Sequence, residues 1–464
     1  MTQLSFELEE ESRMLSPLDK LRLPKDNNLP PVIREIVTNA PANRKIPAFI
    51  ASLSPLCALC PRVRLDYFYD SRKSALLLQV VIEGEQSSGK SFAADIESLI
   101  MDNTLKARDK QMRRLEQEYR EKKKRRKANE KLEEEPKTTI RVVPPTISKT
   151  VLTKRADMFD RVLGDTMSFW MFAEELAQVT DAGRQGYSNL RTLMRTAYDL
   201  GSLFGIDFAS DNSYSAIVDI NICSMFCATP AAVDEYYDNK SVEGGNITRC
   251  ILCNIGDTLG DKGAIFKPYS AEQKAVIDST LQKLMDMTYN SDGGLQPVVD
   301  LDMYWLDNTV CNWCDKKGKE ATLSGSKALE VFRKRSSASA FRVASLCQYL
   351  YQLEETDEET IQKRVRQIYL YMAEYILENM LARWGVQYEM LHSKRVRENK
   401  QQEKPILFNQ LTEVFTREQL QLQVEKQGLT TPYRIFLNKW ESLKVIERID
   451  KNTFKKIIKK KKND

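Results

Sequence analysis

Residues Gly84 to Ser91 read GEQSSGKS, which fits the phosphate-loop pattern G-x-x-x-x-G-K-[ST] at every fixed position. By average composition, a random chain of 464 residues carries such a match roughly once in a hundred. The flanks narrow the reading further. Ala75 to Ile82 (ALLLQVVI) is an apolar run long enough for a buried strand and too short for a typical buried helix. Phe92 to Ile100 follows as a plausible helix, and strand, loop, helix is the order this chemistry requires. Gly84 and Gly89 let the backbone wrap a phosphate, with Glu85, Gln86, Ser87 and Ser88 between them supplying amide groups. Lys90 is expected to reach the β and γ phosphates and Ser91 to ligate Mg²⁺, so the expected cofactors are ATP and Mg²⁺. The competing explanations are a glycine loop that fits by chance and a decayed site that binds without turnover.

Hydrolysis needs more than a cradle. A second strand should end in acidic groups that hold the magnesium shell and orient the attacking water. Phe169 to Glu175 (FWMFAEE) fits, with Glu174 on the metal side and Glu175 as the base or water-positioning group. The usual first acid is aspartate, so glutamate at 174 departs from the pattern, and a helix starting on paired acids is the alternative. Farther on, the strand INICSMFC ends at Ala228, Thr229 and Pro230 and places the Thr229 hydroxyl where a γ-phosphate sensor would stand, unless it is a simple cap. Arg249, in GGNITRCIL, is the first choice for an arginine finger, with Arg184 and Arg191 as alternatives and a structural ion pair as the competing role for each. A finger delivered from a neighbour implies a homo-oligomer, a hexamer among the forms considered.

Residues 1–28 read as a polar lead that ends in the turn-forming PKDNNLPP. Strands alternating with helices over 29–270 predict an α/β core with a mainly parallel sheet, and a helical region over 271–400 completes it. Residues 102–135 form a charged helical arm inside that core, with six consecutive bases from Lys122 to Lys127 and a sparse apolar stripe at Leu105, Met112, Leu115 and Tyr119. A solvated helix is the plain reading of such a run, and DNA contact or subunit pairing are the functional ones.

Composition excludes several chemistries. The chain has a single histidine, His392, which removes multi-histidine metal sites, two-histidine zinc fingers and triads with a spare imidazole. The start MTQLSFELEEESR is acidic where a secretory signal is basic and then apolar, and no stretch approaches the ~18 apolar residues of a membrane span. A cytoplasmic protein without membrane partners is expected, with its nine cysteines as reduced thiols. Cys57 with Cys60, Cys250 with Cys253, and Cys311 with Cys314 are C-x-x-C pairs. The first reads as core, the second as a strand whose positions three apart face opposite sides, and the third as a knuckle without a second pair, so free buried thiols are preferred to zinc.

Net charge is +5, of which the segment from Lys451 to Asp464 holds +6, leaving about −1 for the other 450 residues. A lysine-rich tail over 457–464 suits a polyanion such as nucleic acid, or is a solvated terminus. Just before it, helical spacing through Ile406, Leu407, Leu411, Val414 and Phe415 leads to a second helix capped by Thr416 in the pattern T-x-x-Q and stopped by Gly428. Thr431 and Pro432 start a third helix, and KVIERI and TFKKII read as a hairpin. Three helices and a hairpin over 401–456 describe a winged helix. Its third helix would present Thr430, Tyr433, Arg434, Asn438 and Lys439 to a DNA groove. The same module used for protein contacts is the alternative.

The order LPPVIREI, GEQSSGKS, a charged insertion, FAEELAQV, MFCATP and GGNITRC resembles the domain-of-unknown-function 3987 family. These are P-loop proteins common in mobile elements of gut Bacteroidetes and related to helicase-type ATPases of the RecA-like class. The resemblance covers about residues 29–385 and is sharply specific only at the phosphate loop. It implies a RecA-like core acting in replication or mobilisation of an element, with a primase or another element-encoded replication protein as a partner. By position it assigns Lys90 and Ser91 to phosphate and metal, Glu174 and Glu175 to the acidic step and Arg249 to the finger. The leading expectation is a DNA-dependent, helicase-like ATPase. The alternatives are a non-hydrolysing, ATP-switched DNA-binding or initiation protein and, more weakly, a kinase using the same loop.

Overall fold

A computed structural model describes residues 23–70, 72–125, 134–184, 190–206, 214–256, 263, 265–354, 356–396, 407–428 and 432–457. The chain divides into two compact units, Met1–Val310 with Arg335–Met380, and Cys311–Lys334 with Leu381–Asp464. Among the described residues no helix is long and apolar enough to cross a membrane.

The first unit is built on one all-parallel sheet of five strands. These are β1 (Gln79–Glu83), β2 (Val142–Val143), β3 (Ser168–Ala173), β4 (Asn221–Ala228) and β5 (Cys250–Asn254), in the order β2-β3-β4-β1-β5. Every residue of β1 and β4 is buried, as central strands covered on both faces require. The helices Lys45–Ala58 and Glu358–Met380 pack on this sheet. The first of these buries twelve of its fourteen residues, which explains its almost uninterrupted apolar sequence. This is the mixed α/β class with a parallel sheet expected from the sequence, and it is compatible with a RecA-like core.

Three runs of strand-like composition, Ala75–Ile82 (ALLLQVVI), Thr139–Val143 (TIRVV) and Ile217–Cys227 (IVDINICSMFC), divide in the structure. Of ALLLQVVI, Ala75 belongs to the strand Ser74–Ala75, which pairs with Val63–Leu65 in a separate sheet, and β1 begins only at Gln79. That second sheet also takes Val299–Leu301, a strand inside the region read as helical. Of TIRVV, only Val142–Val143 are strand: the Arg141 carbonyl still accepts the Trp170 N–H of β3 (2.9 Å), but the Arg141 N–H is taken by the Asp109 carboxylate (2.7 Å). The Arg108 guanidinium donates to the Thr139 carbonyl (2.9 Å), and the buried Arg141 side chain donates to Ser168 O (2.7 Å), Ser168 Oγ (2.9 Å) and the Ala58 carbonyl. The run IVDINICSMFC breaks at Ile220. Ala216–Asp219 pairs antiparallel with Leu203–Ile206, and Asp219 turns its carboxylate to the Gly201 N–H (2.8 Å).

The charged arm is a helix, Ala107–Arg125, and its first half is anchored rather than simply solvated. Asp109 is 1% exposed and accepts the backbone N–H groups of Arg141 (2.7 Å) and Val142 (2.6 Å). Glu116 accepts from Thr138 (2.5 Å) and Arg155 (3.1 Å). Arg126 and Lys127 lie outside the described residues.

In the second unit, residues 407–457 have a core of their own, made by Leu407, Leu411, Phe415, Leu420, Val424, Leu437, Trp440, Ile446 and Phe454. Helices Leu407–Gln410, Arg417–Lys426 and Tyr433–Ser442 accompany an antiparallel sheet of Val414–Thr416, Thr453–Lys456 and Ile446–Arg448. Val414 and Phe415 are therefore strand, not the end of a first helix. Their ladder to Thr453–Lys456 and the stacking of Phe415 on Phe454 at 5.8 Å outweigh a helical continuation. Thr416 caps the following helix in a full capping box with Gln419, as T-x-x-Q implies.

Candidate nucleotide-binding site

β1 ends on Glu83, and the next residue, Gly84, donates its N–H to the Ala228 carbonyl at the end of β4 (3.0 Å). A side chain at Gly84 would place its Cβ 2.5 Å from Ile255 Cδ1 and 2.7 Å from Ser88 Oγ, so any larger residue forces those two side chains to shift. Ser87 and Gly89 both adopt positive φ, +59° and +76°, and left-handed residues of this kind turn backbone N–H groups toward a common centre. The helix Phe92–Met101 then begins at Ser91 with no side-chain cap; the Ala93 N–H turns back to the Lys90 carbonyl (3.0 Å) and the Ala94 and Asp95 N–H groups to the Ser91 carbonyl (2.9 and 3.1 Å), so the positive end of the helix dipole faces the loop. Ser91 itself is exposed. Lys90 lies across the loop and donates its Nζ to the carbonyls of Gly84 (2.7 Å) and Glu85 (2.5 Å). Burial lowers its pKa from the ordinary lysine value, against the opposing pull of Cys227, Glu85 and Glu175.

The acids stand one strand away. β3 ends at Ala173, Glu174 and Glu175 follow, both exposed, and the Leu176 N–H donates to the Cys227 carbonyl (2.8 Å), fixing this turn against β4. Because β4 separates β1 from β3, loop and acids are offset by two strand spacings, about 9.5 Å. Glu175 acts on the charge of Lys90, and Glu174 on the thiol of Cys227, which burial pushes up to about 12. Thr229 follows β4 and accepts the Ala232 N–H (3.3 Å) as N-cap of the helix Pro230–Tyr236, so its hydroxyl has at least a capping role.

Arg249 is not brought to this loop within one chain. It precedes β5, whose first residue, Cys250, is in register with Gln79 at the start of β1, so it lies at the opposite edge of the sheet, about 16 Å from the loop. Its guanidinium is bound to Asp199 (3.2 Å) and the Gly245 carbonyl (3.2 Å), and Arg342 shares the same Asp199 (3.3 Å). Burial lowers its pKa. Arg191 is engaged with Asp238 (2.8 Å) and the Glu235 carbonyl (2.8 Å), and the Arg184 side chain lies outside the described residues.

Sequence reasoning missed Arg44. This residue ends the short turn Ala42–Arg44, is 2% exposed, and donates to the Ser88 carbonyl (3.1 Å) inside the loop and to the Ile255 carbonyl (3.4 Å). Its Nε is buried without a hydrogen bond, and among the described residues it has no carboxylate in ion-pair contact. A buried cation held only by neutral carbonyls is costly unless an anion arrives nearby. No spacing rule links an arginine to a loop forty residues later, so the sequence carries no signal for it. Arg44→Met, which keeps the bulk and removes the charge, is expected to weaken ATP binding about tenfold while leaving the melting temperature unchanged or higher. Titration of ATP alongside a thermal melt checks both, and lost stability with unchanged affinity would reduce Arg44 to a packing role.

The three cysteine pairs lie in separate elements. Cys57 and Cys60 are buried at the end of a helix, Cys250 and Cys253 sit three apart on β5, and Cys311 and Cys314 lie within the helix Asp307–Ser324. Among the described residues no cluster of three or more His, Cys, Asp or Glu could hold an ion by protein ligands alone.

In the second unit, the helix Tyr433–Ser442 buries Leu437 and Trp440 and leaves Arg434, Ile435, Asn438 and Lys439 exposed, with Tyr433 half-buried. Arg434 lies over the Tyr433 ring at 5.8 Å. Arg434 and Asn438, four residues apart, share one face. Thr430 and the lysines from Lys459 to Lys462 lie outside the described residues. No protein-family model and no curated protein matches the chain.

Proposed function

We propose that this chain is a DNA-dependent P-loop ATPase of the RecA-like, helicase type, acting in replication or mobilisation of a genetic element. The observation that carries the reading is the grouping of a helix start without a side-chain cap, a loop with two left-handed residues, Ser87 and Gly89, and the charges of Lys90 and Glu175 at the carboxyl edge of one parallel sheet. ATP phosphates would take the loop amides from Gly84 to Gly89 and the Lys90 ammonium. Mg²⁺ would be held by Ser91 and Glu174, and when bound it neutralises phosphate charge. Glu175 orients or deprotonates water, and Thr229 stands at the end of β4 between the two groups. Arg249 serves as a finger only for a neighbour's site, on release from Asp199, which makes a homo-oligomer part of the proposal. The residue 407–457 module supplies the DNA contact as a winged helix, through Tyr433, Arg434, Asn438 and Lys439.

A second reading, an ATP-gated DNA-binding switch without turnover, is favoured by the commitment of Arg249 to Asp199 and by glutamate at 174. Both readings require DNA binding. Anisotropy of labelled DNA with the full chain is expected to show binding that changes with ATP, and Arg434→Ala with Asn438→Ala is expected to weaken it at least about tenfold. Absence of DNA binding in every nucleotide state would overturn both.

A further inference from the structure

The helix Ala107–Arg125 carries nine Lys or Arg and four Asp or Glu residues, so bases outnumber acids by about two to one. Asp109 and Glu116 are consumed by the body of the protein, through the Arg141 and Val142 N–H groups and through Thr138 and Arg155. Beside them Lys106, Lys110, Arg113, Arg114 and Gln117 line, with the buried Asp109 and Val142 of the edge strand β2, an open groove of about 340 Å³. Lys106 is neutralised by Glu97 (2.6 Å) and Asp102 (2.8 Å), and Arg113 is tied to the neutral Val142 carbonyl (2.6 Å). Lys110 and Arg114 are exposed, and among the described residues neither has a carboxylate partner. Lys124 continues the same face by helical phase. Two acids stand toward the distal end: Glu118, which is exposed, and Glu121, which accepts from Gln117 (3.2 Å) and pairs with Arg125 (3.9 Å).

We propose that this groove is a second DNA contact, which binds the sugar-phosphate backbone of a strand independently of its sequence. Lys110 and Arg114, four residues apart on a rigid helix, are spaced about 6 Å along its axis, so the pair can follow successive phosphates of one strand. The groove lining offers no aromatic ring for base stacking; its carboxylate, Asp109, is committed to the Arg141 and Val142 N–H groups, and Gln117 is its one side-chain amide, so the recognition is of charge. The same charge does not suit a membrane surface, which needs an apolar face beside the cations. Here the exposed apolar residue of the helix, Leu115, stands away from the groove. The inference rests on the DNA-binding reading above and adds a contact outside the C-terminal module.

The test is the salt dependence of DNA affinity, measured on the full chain with a labelled oligothymidylate between about 50 and 200 mM salt. The Lys110→Ala, Arg114→Ala double variant is expected to lower the slope of log affinity against log salt by about 1.4, and affinity near the middle of that range by about tenfold, at unchanged melting temperature. Lys122→Ala with Lys123→Ala removes equal charge on other faces of the helix and should leave the slope near wild type. The charge-preserving Lys110→Arg, Arg114→Lys variant should also retain it. Equal losses in the two alanine doubles would reduce the effect to net charge and overturn the groove. So would a wild-type slope in the Lys110, Arg114 double, which leaves DNA binding by the rest of the chain intact. Binding to anionic phospholipid vesicles in place of the oligonucleotide would overturn it as well, and failure of the wild type to bind DNA would overturn this inference and the reading beneath it.

Discussion

Lys90→Ala is expected to weaken ATP binding by about a hundredfold while the protein remains folded. The ammonium is held by two carbonyls of its own loop, Gly84 and Glu85, so in the absence of ligand it closes the turn on itself. A bound triphosphate exchanges those neutral acceptors for charged ones. A hydrogen bond to a charged group contributes about 1.5–3 kcal/mol, and the upper end of that range is a little over two decades in affinity. Burial already lowers the pKa of this lysine, and an anion beside it restores the charged form, so binding and protonation favour each other. Titration with a fluorescent ATP analogue measures the loss. An affinity equal to wild type would mean that the loop does not hold the phosphates.

Glu175→Gln is expected to do the reverse, preserving ATP affinity within a few-fold and lowering turnover by about 10²–10⁴. The substitution is nearly isosteric at an exposed position after β3, so it removes the base without disturbing the turn fixed by Leu176 on β4. Single-turnover hydrolysis of pre-bound ATP separates the two effects. Undiminished turnover would remove Glu175 from the chemistry, whereas loss of binding with turnover unchanged per bound ATP would make it a ligand-holding group.

The parts of the site that are local in sequence were legible, and the parts made by distant contacts were not. GEQSSGKS, its preceding strand and its following helix are one continuous stretch, and periodicity with glycine placement is enough to arrange them. FWMFAEE and CILCN read as strands for the same reason, and Thr416 with Gln419 announced a helix start. Arg44 reaches Ser88 across forty-four residues, and Arg249 meets Asp199 across fifty, with no pattern to mark either pair. The arm misled in a different way. Its composition predicts a solvated helix, but a single buried acid, Asp109, capping two backbone N–H groups of the β2 segment, docks it on the sheet edge. Val414 and Phe415 satisfied a helical spacing and formed a strand because their partners, Thr453–Lys456, lie some forty residues later.

The central claim is that the loop, Glu174 and Glu175 hydrolyse ATP under the control of DNA. Steady-state release of phosphate from ATP and Mg²⁺, with and without single- and double-stranded DNA, tests it directly in the wild-type chain with Lys90→Ala and Glu175→Gln as references. The account predicts turnover that rises with DNA and is abolished in both variants. Tight ATP binding without turnover under any DNA condition would contradict it, leaving an ATP-gated DNA-binding switch.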